Sequence, residues 1–202
     1  MSVSVPVLSK PSQWQLAVAS EGIAAAQFAR CGFEVTVQSG RDKPSYELTV
    51  GKASHLIKVF VKGSQDGNWD LTHSYLKRAA DLSGKKANCQ WAINQWLDHR
   101  GSQSVCCLVQ FQGVSIESLP RIHLASAYEI AQKLRESADR LGDATLYEKY
   151  EWTPAGQVSP TSESLPRAWA FSEQRIQELL GMGKPAAPGL TLLPHVHSPA
   201  GV

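Results

Sequence analysis

The sequence predicts an α/β domain built on a mixed central sheet. Three observations carry that prediction. Apolar residues recur at helical spacing early in the chain and again after Ser126. Short runs that alternate, or are apolar throughout, read as strands. The two kinds of segment interleave as helix, three strands, helices, strand, strand, helix, an order that stacks helices on a sheet.

The first helix is expected over Gln13 to Cys31, with Ala17, Ile23, Ala24, Phe28 and Cys31 at helical spacing and Gly32 at the C-terminal cap. Phe33 to Val37 alternates strictly and reads as a strand. The turn-rich run Ser39 to Pro44 leads to a second strand, Tyr46 to Val50. Leu56 to Lys62 is a third, apolar on both faces and therefore central in the sheet. Residues 71–99 read as two helices broken at Ser83-Gly84, and Val105 to Phe111 as a buried strand. Pro120 to Leu124 is a further short strand. Ser126 and Glu129 form a capping box, in which each side chain satisfies the other's exposed backbone N–H. Ile130, Leu134, Ala138 and Leu141 then line the core face of that helix. A last helix starts at Ser172, with Phe171 and Ile176 placed as a hydrophobic staple.

With 202 residues the chain is long enough for one compact domain with a core of its own. One domain is expected over residues 1–182, followed by a flexible Pro/Gly/Ala-rich tail over 183–202. The apolar fraction of 43% and the charged fraction of 19% exclude a disordered or collagenous chain. No apolar run approaches the ~18 residues of a membrane span, so no membrane partner is expected. The first residues lack the basic and apolar regions of a secretory signal. Cys31, Cys89, Cys106 and Cys107 form no CxxC pair and read as reduced, mostly buried thiols, which points to the cytoplasm. His195 and His197 in the tail have no third ligand nearby. There is no GxSxG, GxGxxG or P-loop.

Twenty Lys and Arg against eighteen Asp and Glu leave a net charge of +2, too little to name a partner. Residues 51–100 differ, with eight basic and four acidic residues. Lys77, Arg78, Lys85 and Lys86 interleave there with Trp69, Tyr75, Trp91 and Trp96. Cations can neutralise phosphates and exposed aromatics can stack on unpaired bases. Trp91 and Trp96 read rather as a packing face, because Ile93 and Leu97 lie among them. Tyr147, Tyr150, Trp152 and Trp169 in the last third would suit a protein or dimer interface, or simple burial.

Three residues fall at informative places: Glu21 on the first helix, Glu47 in the second strand and Lys62 at the end of the third. With Ser20 to Ala26, Gly32 to Val35, Pro44 to Val50, Ile57 to Ser64 and Pro120 to Ser126, this order resembles the core of the PD-(D/E)XK nuclease superfamily. The resemblance covers about half the chain, and no single motif in it is specific. It implies a restriction-endonuclease-like core with a C-terminal helical extension. It implies a metal-dependent endonuclease acting on nucleic acid, DNA as the first expectation, with Mg²⁺ or Mn²⁺ as cofactor. Residue by residue, Glu47 would be the metal ligand, Glu21 an outer or metal carboxylate, and Lys62 the group that positions the attacking water. Lys58, Lys77, Arg78, Lys85 and Lys86 would contact the nucleic acid.

Hydrolysis of a phosphodiester draws on a hard divalent cation held by carboxylates. Two departures from the family pattern bear on this. Glu47 stands where Asp is usual. Phe60, two residues before Lys62 and so on the same strand face, stands where Asp, Glu or Gln is usual. Three readings follow. One is a nuclease with a migrated ligand, such as Gln65, Asp66, Gln90 or Gln95. Another is a catalytically dead fold that binds nucleic acid, or serves as a protein-interaction, regulatory or inhibitor module. The third is a chance resemblance, with Glu47 in a cross-strand ion pair with Lys58 or Lys62.

Overall fold

The computed structural model describes residues 11–38, 46–79, 84–149 and 164–181. The tail over 183–202, with His195 and His197, lies outside the described residues, as do Tyr150 and Trp152.

Helix α1 (Gln13–Arg30) is opened by a capping box. The Ser12 hydroxyl accepts the Gln15 N–H at 3.3 Å, and the Gln15 side chain accepts the Ser12 N–H at 2.8 Å. It buries Leu16, Ser20, Ala24 and Phe28, a row at four-residue spacing. Ala17, expected in the core, is exposed, because it lies one residue off that row.

Strands β1 (Glu34–Val37), β2 (Leu48–Lys52) and β3 (His55–Ser64) form an antiparallel meander. Strand β5 (Val105–Gln110) adds parallel to β3, and β6 (Arg121–Ser126) adds antiparallel to β5. The order β1-β2-β3-β5-β6 is a mixed five-stranded sheet with β3 at its centre, as its apolar run predicts. The parallel pair needs a crossover. It passes through β4 (Asn68–Trp69), the single-turn helix α2 (His73–Leu76) and α3 (Lys85–Arg100). Helix α4 (Ala127–Leu141) follows Ser126, whose capping box with Glu129 forms as expected. A two-residue strand β7 (Leu146–Tyr147) pairs with β4, and α5 (Glu173–Leu179) closes the described chain. This second, two-stranded sheet is absent from the sequence reading, because two residues carry no periodicity.

Each face of the large sheet carries its own core. Phe28 of α1 and Ile176 of α5 pack with Leu48, Val59, Val61 and Val109 on one face. Ile93 and Trp96 of α3, with Ile130 and Leu134 of α4, pack over Phe60, Cys106 and Leu108 on the other. Helix α1 crosses β3 at Gly63, where a Cβ would lie 2.1 Å from the Ser20 Oγ. Among the described residues no helix is long and apolar enough to cross a membrane.

Candidate functional site

Glu21 of α1, Lys62 of β3 and Glu47 from the segment before β2 border one cavity of about 240 Å³. Gln13 and Ala17 line it with Glu21, because residues four apart share one side of a helix. Lys62 is exposed at the end of β3, beyond the last residue that β2 covers.

Glu47 does not lie in a strand, as the sequence suggests, but one residue before β2 begins. Its N–H donates to the Val59 carbonyl at 3.0 Å, and its carboxylate accepts the Val61 N–H at 2.8 Å. Strand β3 outruns β2 at this point, which leaves the Val61 N–H without a ladder partner. The Glu47 side chain takes the place of the missing strand. The extra methylene relative to Asp gives it that reach.

Phe60 is 1% exposed and belongs to the core beneath α3. Its ring meets Trp96 edge to face at 6.1 Å, and the Arg100 guanidinium lies 4.3 Å from its centroid. Packing thus fills this position, and Phe60 offers no oxygen to a cation.

The candidate substitutes do not complete a metal site. Asp66 borders a second cavity at Lys62, of about 500 Å³. Its Oδ1 accepts the Ser64 hydroxyl at 3.2 Å and the Asn68 N–H at 3.1 Å, which ties it to its own loop. Gln65 donates to the Pro11 carbonyl at 3.3 Å. Gln90 and Gln95 lie half-buried on α3 and line none of the cavities at Lys62. Among the described residues no group of three His, Cys, Asp or Glu side chains is placed to hold a metal. Two carboxylates, one of them accepting a backbone N–H, fall short of an all-protein cation cage, and Mg²⁺ bound there would draw its other ligands from water and phosphate oxygens.

The basic residues separate into two places. Lys77 and Arg78 follow α2, and the Arg78 guanidinium lies 5.0 Å from the Tyr75 ring centroid. Lys58 lies over Tyr46 at 5.2 Å. Lys85 opens α3, whereas Arg100 closes it, roughly 22 Å away at ~1.5 Å per residue. Lys85 is therefore remote from Lys62 and Arg100, and the Lys86 side chain lies outside what the structure describes. Trp69, Trp96 and Trp169 are buried and offer no stacking surface, while Tyr75 and Trp91 are half-buried.

Two ion clusters escaped the sequence reading. Glu148 is fully buried, with Arg121 Nε at 3.2 Å and His123 Nε2 at 3.1 Å from its Oε1. Arg121 and His123 share a face of β6, a local signal, but Glu148 lies more than twenty residues away. Arg175 grips both Glu129 oxygens, at 2.7 and 2.6 Å, and also donates to the Leu124 carbonyl. The four cysteines carry no disulfide. Burial pushes the Cys89, Cys106 and Cys107 thiols up, so they stay protonated.

No protein-family model matches this chain, and a search of curated proteins gives no significant match.

Proposed function

We propose that the protein is a PD-(D/E)XK-like, restriction-endonuclease-like fold that binds nucleic acid without hydrolysing it. The observation that carries this reading is that Glu21 of α1, Glu47 just before β2 and Lys62 of β3 all line one cavity. Lys62 supplies an exposed charge for a phosphate. Hydrolysis would in addition need a cation to polarise the phosphate and acidify a water. Phe60 offers no oxygen to such a cation, and Glu47 spends one carboxylate oxygen on the Val61 N–H, which supports binding without hydrolysis.

The test is fluorescence anisotropy with labelled single- and double-stranded DNA and RNA, alongside a cleavage assay in Mg²⁺ or Mn²⁺. Binding without cleavage is expected, with Lys62→Ala weakening it about tenfold, roughly the ~1.5 kcal/mol of a charged hydrogen bond. Metal-dependent cleavage that disappears in Lys62→Ala would show instead a working nuclease. A second reading, a protein-interaction or inhibitor module or a homodimer, draws on the outer face of α1. Trp14 and Val18 are 74% and 49% exposed there. Absence of binding to every oligonucleotide, with self-association or capture of a protein, would favour it.

A further inference from the structure

Lys62 borders a third cavity, of about 490 Å³, on the side of the sheet away from α1. His73 and Tyr75 of α2, and Trp96, His99 and Arg100 of α3, make its other walls. Three features define what such a cavity can hold. Its volume falls among sites for one small molecule, roughly 300–1,000 Å³. It cannot admit a duplex, whose major groove alone is ~12 Å across. Its lining also combines ring surface with cations. Tyr75 is half-buried, its ring centroid lies 6.5 Å from that of His99 at a tilt of 55°, and the Arg78 guanidinium lies 5.0 Å from it. Among the described residues the lining holds one carboxylate, Asp70, which lies 3.2 Å from the His73 ring.

We infer that this cavity receives a single unpaired nucleotide, its base against Tyr75 and its phosphate toward Lys62 and Arg100. This rests on the nucleic-acid reading above and narrows it to single-stranded segments or unpaired ends. Base–aromatic stacking tolerates any sequence, so little base preference is expected.

The experiment compares affinities for a single-stranded oligonucleotide and a blunt duplex of the same length. It uses the full chain, Tyr75→Ala and Tyr75→Phe, and competition by a nucleoside monophosphate. Single strands should bind at least tenfold tighter than the duplex. Tyr75→Phe should bind like wild type, and Tyr75→Ala five- to hundredfold more weakly. The monophosphate should compete with the single strand. Should Tyr75→Ala fail to fold, that competition on the wild-type chain decides. Equal affinity for duplex and single strand, or no competition, overturns the inference. If Lys62→Ala still weakens both substrates, the broader reading survives that outcome. If no oligonucleotide binds the wild type, both fall.

Discussion

Gly63 and Gly22 sit in opposite circumstances. At Gly63 an added Cβ meets the Ser20 hydroxyl at 2.1 Å and Leu16 Cγ at 3.0 Å, where α1 lies on β3. Gly63→Ala is expected to cost about 1–3 kcal/mol through overpacking. At Gly22, inside α1, nothing lies within 4 Å of that Cβ. Gly22→Ala should therefore stabilise the fold by about 0.5–1 kcal/mol, the usual helix penalty of glycine. Urea midpoints of the two variants check both signs, and equal shifts would contradict the described contact. Phe60 makes a related point. Phe60→Glu, the change that would place an acidic residue two before Lys62, should cost about 3–5 kcal/mol, the range for losing a buried Phe ring. A metal site cannot be rebuilt there without unpicking the core with Trp96. That Glu21, Glu47 and Lys62 line one cavity agrees with the grouping the superfamily resemblance implies; spacing along the chain does not by itself bring them together. The bond from the Val61 N–H to Glu47 was not legible in the sequence, because it depends on where β2 stops.

Local signals served best at the element scale. The Ser126 capping box and the Phe171–Ile176 staple each lie within a few residues, and α4 and α5 begin where they predict. Ser12 and Gln15 carry the same kind of signature at the start of α1, although only the helix itself was predicted. The Arg175–Glu129 pair was illegible, since 46 residues separate its members. It ties α5 to the first turn of α4 and has a consequence for acid stability. Burial pushes the Glu129 carboxyl up, but the hydrogen bonds from Arg175 and Ser126 outweigh it and leave the group below its ordinary value. A carboxyl depressed in the folded state contributes stability that is complete above the unfolded value, ~4.3. That contribution is lost as pH falls from there through the folded value. Arg175→Leu should lower stability by about 1.5–3 kcal/mol at neutral pH. Its deficit relative to wild type should shrink below pH ~4 as Glu129 protonates in both. Urea unfolding at neutral pH and in acid measures this; a constant deficit would mean that the pair is not what holds α5.

For the whole molecule, charge distribution matters more than charge total. The net charge is +2, and the excess lies within residues 51–100. Folding divides even that excess, because α3 holds Lys85 and Arg100 at its opposite ends. The permanent cations that line the cavity between α2 and α3 are few among the described residues, Lys62 and Arg100. The proposed contact with a single strand should therefore engage about one or two phosphates. Each phosphate neutralised on a single strand contributes about −0.7 to the slope of log K against log salt, so a slope of roughly −0.7 to −1.4 is expected. Lys62→Ala should make it shallower by about 0.7 and weaken binding across sequences alike. Lys85→Ala should leave it unchanged. Titrations at several salt concentrations separate these cases. A steep wild-type slope that Lys85→Ala reduces would move the binding surface to the far end of α3 and away from the cavity where Glu21, Glu47 and Lys62 meet.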